Sequence, residues 1–437
     1  MMTYRPIRLL SLFAVLALIL AACSGGEIGA SDEPAASEPE TSGGAAPSEG
    51  AFPEGDIAIE FWTKEGDAQL DFVESLATDY MALHDNVTIE VVNKDVELLR
   101  EDMVNTALSP DAQPQLLWTV LDHVGPFVEA GVIQPLGDGD YDTSVLFEGA
   151  NRGELDGETY AAPINTGNQL MLYWNKSLIG DEAPADTDAL VQVATEQTTG
   201  GKYGFVFNTT ESFWLIPWLY GYGGGAFEED GVTPSLDTPE MEAALAFLHG
   251  LKYDAGVMPE TVDYPIASDL FTTGDAAMIV NGDWELGNYA ELLGDDLAVG
   301  PLPEVTDTGE LPKPYTAGSF YMVPSSVEGD TLTVVHDFID FTLAADQQRA
   351  LVEELVRLPS NAEVLEDPAV TDDPLLAGSA AAVAAGVPQP INVEMRCVFD
   401  AMTTGTRDVL ASGNSDFAAV AATMQEAAVN CIETGAL

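Results

Sequence analysis

The sequence predicts an α/β protein of two lobes, with three stretches where the backbone crosses from one lobe to the other. Three observations carry that reading. Residues 57–120 run strand, helix, strand, helix, strand, the alternation of a parallel α/β sheet. The extended runs Tyr160–Ile164 and Gln169–Tyr173 are split by the polar, Gly-bearing Asn165-Thr166-Gly167-Asn168, which suits a crossing, and the α/β alternation then begins again. Gly300-Pro301-Leu302-Pro303 and Leu358-Pro359-Ser360-Asn361 read as a second and a third crossing. A length of 437 residues leaves room for two or three domains with sizeable cores.

The chain opens with Arg5 and Arg8 ahead of an apolar run, Leu9 to Leu20, too short to suit a spanning helix with these flanks. Leu20-Ala21-Ala22-Cys23 then resembles the lipobox of bacterial lipoproteins, in which the Cys becomes the acylated first residue. Residues 1–22 are expected to be a lipoprotein signal peptide and Cys23 the lipidated residue. Residues 23–55 are mostly Ser, Gly, Ala, Pro and Glu and bury too little to order themselves, so they read as a flexible acidic tether.

In the first lobe Ile57, Ile59 and Phe61 alternate with Ala58 and Glu60, a half-buried strand. Phe72, Leu76, Tyr80 and Leu83 share one face of a helix over 71–84. A strand over 87–92, a helix near 96–108 and a buried strand over 115–120 follow. Ligands sit beyond the carboxyl ends of such strands, which singles out the Thr63–Asp67 and Thr119–His123 loops. In the second lobe, residues 187–199 predict a helix, 204–208 a strand and 212–222 an aromatic-rich helix. Thr238-Pro239-Glu240 is a helix start with cap, N1 proline and first-turn acid. Ser268 is expected to cap a short helix carrying Leu270 and Phe271, and Gly274 to end it. Ala276 to Val280 is then a strand and Asn281-Gly282-Asp283 a turn that delivers Trp284 to a loop. Such an indole is either core or a platform on which the C–H face of a sugar packs. Residues 333–343 and 346–358 are helical, and the rest is largely helical to the end.

The charge balance is 73 acidic against 14 basic residues, a formal net charge of −59. No basic surface for nucleic acid can be assembled from so few cations. With 46% hydrophobic residues, the acids read as a solvated coat on a folded body. No cofactor is expected: the four His are isolated, and Gly200-Gly201-Lys202 lacks the upstream Gly and following Ser or Thr of a phosphate loop. Asp138, Asp140 and Asp142 start like a calcium loop, but Thr143 and Gly149 stand where a Gly and an acid are needed. Cys397 and Cys431, in an exported chain, are expected to form a disulfide.

Three stretches together resemble one family. They are Tyr160-Ala-Ala-Pro163 with Tyr173-Trp-Asn-Lys176, then Phe271-Thr-Thr-Gly274 through Asn281-Gly-Asp-Trp284, then Pro301-Leu-Pro303 with Ala317-Gly318. In this order they are similar to the sugar-binding proteins of bacterial ABC importers, especially those for maltose and maltodextrin. The resemblance implies a periplasmic-binding-protein-like fold: two α/β lobes, three hinge crossings and a ligand cleft between the lobes. It implies lobes of 56–164 with 304–359, and of 165–303 with 360–437. The ligand would be a carbohydrate, the partner an ABC permease, and the protein a monomer lipid-anchored to the outer face of the cell membrane. Position by position, it implies ligand contacts from Glu211, Phe213, Trp284 and Asp122, with Asn168 near a family acid, and from Trp62, Lys64 and Asp67 in the first loop. Asp283, Gly318 and Arg396 are further candidates. Two other classes compete: a membrane-anchored glycoside hydrolase, because acid pairs occur throughout the chain, and a carbohydrate-binding surface adhesin.

Overall fold

The structure is a computed structural model that describes residues 52–435. The signal segment, Cys23 and most of the tether lie outside the described residues. Among the described residues no helix is long and apolar enough to cross a membrane. The last tether residues are held against the body. Phe52 stacks on His84 with ring centroids 4.1 Å apart, and the Asn86 side-chain amide donates to the Pro53 carbonyl at 2.9 Å.

The first lobe starts with β1 (Ile57–Thr63), α1 (Asp67–Leu83), β2 (Val87–Asn93), α2 (Val96–Asn105) and β3 (Leu116–Val120). Short β4 (Ala162–Pro163) precedes the first crossing. The second lobe follows with β5 (Leu170–Asn175), α3 (Thr187–Gln197), β6 (Tyr203–Phe207), α4 (Pro239–His249), α5 (Tyr264–Thr272), β7 (Ala276–Gly282) and β8 (Leu297–Gly300). The chain returns as β9 (Ser319–Met322), α6 (Gly329–Leu343) and α7 (Ala345–Leu355). It ends with α8 (Pro374–Ala385), α9 (Glu394–Leu410) and α10 (Phe417–Thr434).

Two sheets organise these elements, in strand orders β2-β1-β3-β9-β4 and β8-β5-β7-β6. Where helices connect strands the neighbours are parallel: β1 with β2 and β3, and β6 with β7. The strands that arrive straight from the other lobe, β9 and β5, run antiparallel to β3 and β7. Both sheets are therefore mixed. Phe61, Trp118, Tyr321 and Phe338 fill the first core, and Tyr173, Phe205, Phe271 and Tyr289 the second. On α1, Phe72, Val73, Leu76, Ala77 and Tyr80 make the buried stripe, while Leu83 at its end is 65% exposed.

Several expectations shift. Asp263, not Ser268, caps α5, accepting from the Ile266 N–H at 3.0 Å, and Pro265 sits in the first turn. Ser268 is mid-helix, its hydroxyl 3.0 Å from that of Tyr289. Asn281-Gly282 is not a turn: β7 continues through both, paired with Met171 and Leu170, and the Asn281 amide donates to the Tyr289 hydroxyl at 2.7 Å. The second crossing falls at Ala317–Ser319 rather than Gly300–Pro303. Beyond Pro303 the backbone still bonds second-lobe groups: the Thr187 N–H donates to the Glu304 carbonyl at 2.8 Å, and the Lys313 N–H to that of Pro217 at 3.1 Å.

The crossings lie side by side. The Ala317 N–H donates to the Gly167 carbonyl at 2.8 Å and the Thr166 N–H to the Leu358 carbonyl at 3.1 Å. At Gly318, φ is +141°, and a Cβ would stand 2.0 Å from the Asn165 carbonyl oxygen, so only glycine fits. Cys397 on α9 and Cys431 on α10 are disulfide-bonded, with Cα atoms 5.6 Å apart.

Candidate ligand-binding site

A cavity of about 930 Å³ lies between the two sheets. That is near the upper end of the roughly 300–1,000 Å³ usual for small-molecule sites.

The second-lobe wall is aromatic. After β6, Asn208 holds the next turn: its side-chain carbonyl accepts from the Thr210 N–H at 3.0 Å, and its amide donates to Glu211 at 2.9 Å. The following turn is pinned to α9, with the Ser212 hydroxyl 2.9 Å from that of Thr403. This presents Phe213 half-buried on the cavity. Trp214 is fixed behind it by an indole N–H bond of 2.9 Å to the Val280 carbonyl. Trp284 follows the buried β7. A Cβ on Gly282 would lie 2.1 Å from the indole ring, so that glycine lets the ring fold back over the strand end. The indole N–H donates to the Tyr264 hydroxyl at 2.8 Å, and Tyr264 in turn donates to Glu285. The Trp284 ring lies 6.2 Å from Phe213 and 6.4 Å from Trp214, edge-on to the latter at 87°. Two half-buried rings with their orientation set by hydrogen bonds behind them make a preformed apolar face.

The first-lobe wall is polar: Lys64, Gln69, Asp95, Glu97, Arg100 and Asp122 line it. Burial pushes the Asp122 carboxyl up to about 6. The Gln69 amide reaches across to the Trp284 carbonyl at 3.3 Å. Arg396 also spans the cleft, 2.7 Å from Glu97 on α2 and 3.1 Å from Asp400 on its own helix.

At the base of the cavity, by the crossings, sits a buried charge cluster. Arg357 donates twice to Glu65, each bond 3.1 Å. Glu65 also accepts from Lys64 at 2.6 Å and from the Trp118 indole N–H at 3.0 Å. Although burial disfavours the charged form, the Arg357 and Lys64 cations hold the Glu65 carboxyl well below the usual carboxylate range. Asp283 faces the same arginine but does not share its bonds. Burial pushes it up to about 6, with Arg357 and the Asn168 N–H opposing.

Of the sequence candidates, Lys64, Asp122, Asn168, Glu211, Phe213, Trp284 and Arg396 line the cavity. Trp62, Asp283 and Gly318 do not. Trp62 is buried in the first lobe with its ring under Lys94 and its indole N–H on Glu60 at 2.5 Å, because β1 alternates sides and turns it away. Asp283 lies under the first crossing, and Gly318 is a close backbone approach within it. Asp67 opens α1, and its side chain lies outside the described residues. Sequence reasoning missed Gln69, Tyr264, Glu285, Thr403 and Arg407, all of which line the cavity from helices or 3-10 turns. Only Tyr264 carried a signal, an aromatic beside a helix-starting proline.

Two α/β lobes with three adjacent crossings and a cleft lined from both define a binding protein of the periplasmic type. A family model for bacterial extracellular solute-binding proteins matches residues 75–378, and the chain belongs to that family. It is 26% identical over 362 residues to the maltotriose-binding protein of Pyrococcus abyssi, covering 80% of this chain and 77% of that one. It is 24% identical to a maltooligosaccharide ABC transporter solute-binding lipoprotein of Streptococcus pneumoniae, over 57% of this chain and 60% of that one. Among solved structures, the maltose/maltodextrin-binding domain of Bdellovibrio bacteriovorus bound to maltotriose superposes with a TM-score of 0.79. It is 26% identical and is matched along 100% of its length and 86% of this chain.

Proposed function

We propose that this protein captures a maltodextrin-like sugar or short oligosaccharide outside the cytoplasm and delivers it to an ABC importer. One observation carries the reading: the two half-buried rings of Phe213 and Trp284 face a wall of hydrogen-bonding side chains across a cavity of about 930 Å³. A pyranose has the same two-sidedness, C–H groups that pack on rings and hydroxyls that bond polar groups. The relatives named for maltotriose and maltooligosaccharides support this ligand class. Hinge closure about the three crossings would trap the sugar. The boundaries proposed for the two lobes follow the sheets, with the second crossing moved to residues 317–319. The protein would work as a monomer held at the outer face of the membrane by lipid on Cys23, docking on permease subunits, without catalysis.

One observation bears on a hydrolase instead. Asp122, with its carboxyl pushed up to about 6, has the protonation behaviour of a general acid. A thermal-shift screen over mono- and oligosaccharides, with analysis of the sugar afterwards, tests both readings. Stabilisation of about 2.7 kcal/mol at 100 times the dissociation constant, with the sugar intact, is the expected result. Glucose release would favour the hydrolase.

A further inference from the structure

Gln389 is a polar residue of the cavity wall whose chemistry is left unused. It lines the cavity, the residue is 5% exposed, and its buried amide oxygen has no hydrogen-bond partner among the described residues. Its backbone is fixed from several directions. It stands between Pro388 and Pro390, whose rings lock their own φ angles and restrict the residue before each. Val387 and Pro388 pair with Tyr315 and Thr316, and the Gln389 N–H donates to the Thr316 carbonyl at 3.1 Å. A Cβ on Gly386 would meet Thr316 at 2.3 Å and the Pro314 carbonyl at 2.7 Å, so the strand cannot shift away. On the other side, a Cβ on Gly125 would meet the Ile391 carbonyl at 2.2 Å, so the first lobe packs directly on the segment after Gln389.

A buried acceptor without a partner is costly, and native proteins keep such groups where something else satisfies them. We infer that Gln389 is a ligand-orienting residue whose side-chain amide bonds a hydroxyl of the bound sugar. The inference rests on the sugar-binding reading and deepens it. An amide held rigidly in the cavity wall fixes which edge of the ring turns toward it. That selects among neutral sugars by hydroxyl position, and it favours a ligand with a free O–H over one capped by methylation there.

The test is Gln389→Met, of similar length and apolar, with Trp284→Ala alongside and maltotriose as the probe in calorimetry. The free-protein Tm is measured for each. Gln389→Met is expected to weaken maltotriose binding about tenfold, the size of one hydrogen bond to a buried group. Its free-protein Tm is expected to stay equal or rise, because an unpartnered polar group has been removed. If Trp284→Ala weakens binding and Gln389→Met leaves it within twofold, the inference is overturned and the sugar-binding reading stands. A lowered free-protein Tm also overturns it, since the amide would then be holding the fold. If the unaltered protein binds no maltotriose, the inference falls together with that reading.

Discussion

The buried pair of Arg357 and Glu65 offers the sharpest perturbation of the scaffold. Arg357, on the approach to the third crossing, is 3% exposed, and Glu65, at the end of the first strand, is 4% exposed. Arg357→Met removes both 3.1 Å bonds and leaves the carboxylate with Lys64, Trp118 and Ser319. Breaking a buried pair from one side typically costs about 3–5 kcal/mol, because the remaining charge stays desolvated. The three surviving donors place the expected cost near the lower end, about 3 kcal/mol. Urea unfolding followed by tryptophan emission reads this as a midpoint lowered on the order of 1 M for a slope of about 3 kcal/mol/M. The double variant Arg357→Met with Glu65→Gln should recover most of the loss, since no charge is then stranded. A single-variant midpoint within about 0.2 M of the unaltered protein would refute the reasoning, and so would a double variant no better than the single one.

Asp283 titrates near 6 when folded and near its ordinary 3.8 when unfolded. The folded protein therefore binds more protons between those values, and stability falls as pH rises from about 4 to about 6, by up to about 3 kcal/mol. Asp283→Asn should shrink that fall, with Asp122 supplying the remainder, and should raise Tm at pH 7.5; an unchanged pH profile by calorimetry would contradict this. Removing the disulfide by Cys397→Ala with Cys431→Ala should cost about 3–4 kcal/mol for a separation of 34 residues, read as a lowered denaturation midpoint. Gly318→Ala should lower Tm, because its Cβ would strike the Asn165 carbonyl at 2.0 Å; an unchanged Tm would mean the crossing yields freely.

Much of this was legible in the sequence, for reasons particular residues make plain. Period-two alternation at Ile57, Ile59 and Phe61 marked the first strand, and the Pro-started helix at Thr238 was placed to the residue. What misled was local chemistry that tertiary contacts reassigned. Asn281-Gly282 reads as a turn, yet its asparagine is a buried strand residue and its glycine a seat for the Trp284 ring. The prolines at 301 and 303 read as a crossing, yet backbone bonds keep that segment with the second lobe. At the site, Trp284, Phe213 and Asp122 were found because a motif or a strand end carried them. Trp62 and Lys64 sit two apart in one loop and were grouped on that ground. Trp62 is still within the strand, which ends at Thr63, and its indole packs into the core, whereas Lys64 lies past the strand end and faces the cavity. Gln69, Arg407 and Gln389 left no mark, since a polar residue on a helix or beside prolines gains its meaning only when two lobes meet.

The most direct measurement is titration calorimetry of maltotriose into the mature protein at neutral pH, with recovery of the sugar afterwards. Saturable one-to-one binding, intact maltotriose, and a loss of at least about fivefold in affinity for Trp284→Ala are the predicted results. No saturable binding up to millimolar sugar, or binding indifferent to Trp284, would contradict the assignment of this cavity as a sugar site.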